Sequence, residues 1–157
     1  MNQLIFGSMC ESTGKTSLIV GLARVLQKKI GYTKPFGDRM LYRKKRLWDY
    51  DAALIANIFG FQELPDTISI GFDHSKLRYM YDEMTVRTKL REVLSDVGKD
   101  KDILFVESGR EINYGSSVHL DPLSIATYTG GKLILVLSGN ENAILDDLAF
   151  LKERIDL

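Results

Sequence analysis

The sequence predicts an α/β fold, a mainly parallel sheet with helices on both faces. Three observations predict it. Short apolar runs alternate with stretches of helical periodicity along the whole chain. Two of those runs, "DILFVES" and "KLILVLS", are apolar without alternation, as expected of strands buried on both faces. The first run is followed at once by "GSMCESTGKTS" and then by a helical pattern, the order strand, small-residue loop, helix.

The elements follow in order. Residues 3–8 read as a buried strand. From Lys15 to about Lys29, Leu18, Leu22, Val25 and Leu26 recur at helical spacing. "KIGYTKPF" is a second strand, stopped by Pro35 and Gly37. Residues 38–50 form a basic loop, and a short helix over about 51–59 ends at Gly60. Between 61 and 80 the pattern is irregular, with "TISI" as a minor strand. Val86, Leu90, Val93, Leu94 and Val97 mark an amphipathic helix from about 81 to 97. "DILFVES" is the next strand. "DPLSIATYTG" is a short helix with Asp121 as N-cap, Pro122 at its first position and glycine at its exit. "KLILVLS" is another strand, and a last helix over about 141–154 carries Leu145, Leu148 and Leu151. The chain stops after a helix, where such folds continue into a strand. It therefore reads as one domain, residues 1–157, that is a fragment or shortened form of a longer protein and lacks its last strand or strands.

Composition narrows the function. The 157 residues suit a single core, with 45% hydrophobic and 27% charged residues and no net charge. A zero balance gives no global field towards nucleic acid or an anionic membrane. The basic run "RKKR", residues 43–46, reads as a solvated loop. No apolar run is long enough to span a bilayer and no secretory pattern opens the chain, so a cytoplasmic location is expected. Cys10 is the sole cysteine, which excludes an internal disulfide; it reads as a small loop residue, with no histidine near it in sequence. His74 and His119 lack metal-ligand spacing, and Trp48 reads as a packing or interface aromatic.

The loop carries the chemistry. Gly-Lys-Thr opening a helix after a strand is the setting of a phosphate cradle. Backbone amides of residues 12–16 would face phosphate oxygens, aided by the positive end of the helix dipole. Ser12, Thr13, Gly14, Lys15, Thr16 and Ser17 are the expected nucleotide contacts. Gly14 permits close approach, Lys15 would contact the β- and γ-phosphates, and Thr16 would hold Mg²⁺. Two features are irregular. Met9 stands where the usual first glycine would fall, and Glu11 would repel phosphates unless it turns outward or meets a cation.

Four segments in order, "ESTGKTS", "GYTKPFG", "DYDAALI" and "DILFVESGREINYGSSVHLDPLSIA", resemble the dethiobiotin synthetase-like P-loop family. The likeness is strongest to the dethiobiotin synthetase-like N-terminal domain of phosphotransacetylase-related proteins and covers nearly the whole chain. Ser108 stands where that branch has glycine, and the loop glutamate is offset from its place in true dethiobiotin synthetases. Cys10 occupies the position of the second loop lysine of ParA/MinD-like ATPases, so activation in trans by such a lysine is not expected.

The resemblance implies a three-layer P-loop NTPase-type fold that binds ATP with Mg²⁺. It places Lys34 near the γ-phosphate or an acyl substrate, where it and Lys15 are the candidate catalytic residues. The alternative for Lys34 is an exposed surface lysine. Asp51 is implied as a Mg²⁺ ligand, and from its position it also reads as a helix N-cap; Asp49 is a weaker candidate. Glu107, ending an apolar strand, fits a Walker-B-like role on Mg²⁺ or its water. With Thr16 these two complete the expected metal set. Arg110 reads as a phosphate or second-ligand contact, or as a solvated arginine. "INYGSS", residues 112–117, reads as a loop over a second site or as a subunit contact.

Two functions follow. One is a nucleotide-sensing or regulatory module that works with a partner domain or as a homodimer. The other is an ATP-dependent ligase of the dethiobiotin synthetase or cobyrinate a,c-diamide synthase type, which phosphorylates a carbamate or carboxylate and would take a second small anionic ligand. A structural domain with an inactive loop is the third reading, suggested by Met9 and Glu11.

Overall fold

The computed structural model describes residues 2–43, 45–61 and 65–155. Lys44, within the basic run, lies outside them. Four strands form the main sheet: β1 (Asn2–Ser8), β2 (Ile30–Thr33), β5 (Ile103–Glu107) and β6 (Lys132–Val136), in the order β2-β5-β1-β6. All three pairings are parallel. Neighbouring residues of a strand point to opposite faces. Ile5 and Phe6 on β1 are both 0% exposed, as are Leu104 and Phe105 on β5, so both faces are covered. That is why these strands are apolar without alternation.

The register sets up one edge. Phe6 pairs with Glu107 and Thr33 with Val106, so β1, β2 and β5 end side by side. Ligands of open α/β sheets bind at such carboxyl ends. The helices α1 (Lys15–Val25), α2 (Tyr50–Phe59), α3 (Pro65–Ile68), α4 (His74–Met80), α5 (Glu83–Gly98), α6 (Pro122–Thr129) and α7 (Glu141–Lys152) complete the described elements, with a 3₁₀ turn at Ser116–Val118. Asp121 caps α6 through Leu123 N and Ser124 N, with Pro122 at the start and Gly130 at the exit, as the sequence predicts. α5 buries Val86, Leu90, Leu94 and Val97, the expected stripe, and starts at an Asp82 cap.

Several expectations are corrected. Residues 38–50 are no loop: β3 (Met40–Arg43) and β4 (Arg46–Asp49) pair antiparallel as a hairpin. Charged residues concealed it, because one side of a two-stranded ribbon is solvated and shows no apolar run. "TISI" is not a strand. Ile68 ends α3, and only a single bridge, Phe36 to Gly71, forms nearby. α1 stops at Val25 rather than near Lys29 and buries Ile19, while Leu18, Val25 and Leu26 are exposed. α7 buries Leu151 and leaves Leu145 and Leu148 exposed. Among the described residues no helix is long and apolar enough to cross a membrane.

Gly31 shows how tightly α5 lies on β2. A Cβ there would stand 2.8 Å from the backbone oxygen of Val97, in the last turn of α5, and 3.0 Å from Leu104. A backbone oxygen has no rotamer with which to yield. Gly31→Ala is therefore expected to destabilise the fold by about 1–3 kcal/mol, the usual cost of overpacking. Thermal unfolding checks this; an unchanged melting temperature would contradict the packing described.

Candidate functional site

The loop between β1 and α1 reaches the first turn of α1 with no side-chain cap. No acidic residue lies in that turn. The helix therefore opens with its N–H groups unanswered by side chains and its dipole unopposed, the setting for an anion. Gly14 sits at φ +91°, a left-handed conformation that side chains disfavour, and a Cβ there would meet open space. The glycine is required by its backbone, not by crowding. Positive φ in this loop occurs at Ser12 and Gly14 and not at Met9, so position 9 does not need glycine. Thr13 Oγ1 is buried with no hydrogen-bond partner among the described residues. An orphaned buried hydroxyl beside unanswered amides fits a bound phosphate group.

Glu11 resolves the second irregularity. Its carboxylate is more than half exposed at the cleft and 3.1 Å from Arg110 Nη1, so it meets a cation there. Arg110 also donates to the Asp38 carbonyl at 3.2 Å, spanning the loop and the segment after β2. Lys15 is buried, and its Nζ donates to Ser8 Oγ at 2.7 Å and to the Arg110 carbonyl at 3.2 Å. The Ser8 hydroxyl in turn donates a hydrogen bond to the Cys10 carbonyl at 2.8 Å. Burial pushes the Lys15 ammonium below its ordinary value, and Glu107 opposes that shift. Cys10 is exposed.

Glu107 is 1% exposed at the end of β5. Its Oε1 accepts from Thr16 Oγ1 at 2.7 Å and its Oε2 from the Tyr32 hydroxyl at 2.7 Å. Burial raises the carboxyl, while Lys34, Thr16 and Tyr32 hold it back. The adjacency of β1 and β5 makes the Thr16–Glu107 pair, since Glu107 pairs with Phe6 at the head of the loop. Burial first, and then the Glu107 charge, push the Tyr32 phenol well above its usual value, so it stays a donor.

Lys34 is 1% exposed, which removes the surface-lysine alternative. Its Nζ lies 2.6 Å from Asp38, 3.2 Å from Asp49 and 2.8 Å from Asp51. Burial alone would lower its pKa. Asp49, then Glu107, Asp38 and Asp51, outweigh burial and hold it above the usual lysine range. One oxygen of each of Asp38, Asp49 and Asp51 lies within 4.8 Å of the others, and the ammonium sits against all three and offsets part of their charge.

The N-cap of α2 is Asp49 rather than Asp51. Asp49 Oδ1 accepts from Asp51 N at 2.9 Å and Ala52 N at 3.2 Å, the reach of a cap to the second and third helical amides. Its Oδ2 accepts from Asp38 N and Arg39 N, tying the base of the hairpin. Asp51 instead offers Oδ2 to Lys34 and Oδ1 to Arg39 Nη1 at 3.4 Å.

These residues share a cleft of about 780 Å³, lined by residues 11–17, Lys34, Asp51 and Glu107 and continuing to Asp38, Arg39 and Leu54. Residues 12–17, Lys34, Asp51, Glu107 and Arg110 thus stand on one cleft, while Asp49, the weaker candidate, does not line it. Thr16 and Glu107 fit a Mg²⁺ ion beside a phosphate. Asp51 fits one only by sharing oxygens now facing Lys34 and Arg39. Asp38, Ser8 and Tyr32 are additions that sequence reading missed. In "INYGSS" Tyr114 stacks on Phe36 at 5.1 Å and His74 meets both rings, while Asn113, Ser116 and Ser117 are exposed. His119 lies 3.4 Å from the Tyr128 hydroxyl, away from any metal cluster among the described residues.

A strand, an uncapped helix start holding a buried lysine, and a hydroxyl–carboxylate pair joining that helix to the neighbouring strand β5 define a P-loop nucleotide-binding domain. Residues 3–153 match the family AAA_26, described as an AAA domain, and the chain belongs to that family, which includes dethiobiotin synthetase-like members.

Proposed function

We propose that the chain binds Mg-ATP and acts as a nucleotide-sensing module, working as a homodimer or with a partner domain. The observation that carries the reading is the uncapped start of α1 with Lys15 buried beside it and Thr16 bonded to Glu107. Residues 12–17 would hold the triphosphate. Thr16 and Glu107 would organise Mg²⁺, with Asp51 joining them if it exchanges its cation partners. The ion would draw charge from the phosphate oxygens. The module reading gains support from Lys34. Three carboxylates enclose its ammonium, so it is not free to follow charge onto a transferring phosphoryl group.

A ligase of dethiobiotin synthetase or cobyrinate a,c-diamide synthase type is the second reading. In its favour, the cleft continues past Lys34 to Arg39 and the apolar Leu54 on α2, which leaves room for a second ligand. There Lys15 and Lys34 would be the catalytic cations. Calorimetry with ATP and GTP, each with Mg²⁺, tests binding and base choice. For the wild type the expected result is saturable binding that weakens in Glu107→Gln. ADP release that depends on added diaminononanoate and bicarbonate would favour the ligase over the module.

A further inference from the structure

Tyr32 lies on β2, paired with Phe105 of β5. Registered partners of neighbouring strands share a face, and so do residues two apart on one strand. Tyr32, Phe105 and Glu107 therefore face the same side. The phenol extends one step along the strand direction and donates to Glu107 Oε2 at 2.7 Å. Both residues are buried, Tyr32 at 2% and Glu107 at 1% exposure. A carboxylate taken out of water needs donors to remain charged. Glu107 has two hydroxyl donors here, Thr16 and Tyr32. Their situations differ. Thr16 stands in the phosphate cleft, where its oxygen is wanted by a cation. Tyr32 stays in the core whatever the cleft holds.

The terminal torsion of a glutamate is soft, so its carboxylate plane is not set by rotamer preference. The Tyr32 hydroxyl sets it. With Oε2 held, Oε1 faces Thr16 and the cleft. Phenylalanine would fill the same core volume, so the hydroxyl serves the carboxylate rather than the packing. We infer that Tyr32 is a positioning residue for the divalent cation of the bound nucleotide, acting through Glu107. This rests on the Mg-nucleotide reading above.

The test uses Tyr32→Phe in the full chain. Binding of a non-hydrolysable ATP analogue is measured in EDTA and over graded Mg²⁺. In EDTA the affinity should equal that of the wild type, because the loop and Lys15 are untouched. The Mg²⁺ concentration for half-maximal enhancement should rise ~10–100-fold, the range for loss of a partner that orients a metal ligand. Tyr32→Met, which also lacks the hydroxyl, should show the same rise and covers the case in which the phenylalanine ring is misplaced. In a Glu107→Gln background, Tyr32→Phe should add little. Equal Mg²⁺ dependence in wild type and both Tyr32 variants, or an equal added effect with Gln at position 107, would overturn the inference while leaving the nucleotide reading in place. Absence of nucleotide binding by the wild type in all conditions would remove both.

Discussion

Replacing Lys15 with alanine is expected to weaken triphosphate binding by about 10²-fold or more while the fold survives. The ammonium would make two charge-assisted contacts to phosphates, each worth roughly 1.5–3 kcal/mol, and each 1.4 kcal/mol is tenfold in affinity. The gain is partly offset, because Lys15 must leave Ser8 and the Arg110 carbonyl to reach the ligand. The lower end of that range is therefore expected. Stability should hardly change. Burial holds the Lys15 pKa below its unfolded value, so the charged form is disfavoured in the folded state near neutral pH. That cost disappears as pH rises through the folded pKa. Deleting the side chain removes that penalty together with the two hydrogen bonds of the ammonium, so Lys15→Ala should melt close to the wild type. Paired calorimetric titrations and melting curves check both halves.

Lys34→Met is expected to have the largest effect on stability. Three carboxylates lose the ammonium that sits 2.6–3.2 Å from them. Breaking a buried ion pair on one side costs roughly 3–5 kcal/mol. For a chain of this size that is a fall of roughly 6–20 °C in melting temperature. The pH dependence identifies the cause. Without Lys34 the three clustered carboxylates repel one another with no buried cation among them, and protons added at low pH relieve that repulsion. Acidification should therefore narrow the gap between variant and wild type. Millimolar Mg²⁺ or Ca²⁺ should narrow it as well, since the oxygens lie within 4.8 Å of one another. A gap that ignores both pH and divalent cations would show that lost side-chain packing, not uncompensated charge, is responsible.

The sheet was legible because its strands carry unbroken apolar runs: β5 is buried on both faces as expected, whereas β6, at the edge of the described sheet, is only half-buried. The phosphate loop was legible because glycine, lysine and threonine must be adjacent to do their work. The hairpin was not, since Arg43 to Arg46 and the exposed Met40 and Tyr42 give a two-stranded ribbon no apolar signature. Asp49 as cap in place of Asp51 was missed by a shift of two residues. α2 begins at Tyr50, and only the hydrogen bonds show which carboxylate turns onto the amides. Asp38 stood at the head of what read as a basic loop, and its contact with Lys34 needs the chain to bend between them, as it does at Pro35. Tyr32 and Glu107 are 75 residues apart, and nothing local marks them as partners. Met9 looked like a defect in the loop, yet the left-handed backbone falls at Ser12 and Gly14, so the cradle closes without a glycine at position 9.

The most direct test is a crystal structure of the chain with Mg²⁺ and a non-hydrolysable nucleoside triphosphate. The expected result is phosphate oxygens within hydrogen-bond distance of the amides of residues 13–16, with Lys15 Nζ moved from Ser8 onto the phosphates. An empty loop in crystals grown at saturating ligand, with Lys15 still on Ser8 and the Arg110 carbonyl, would contradict it.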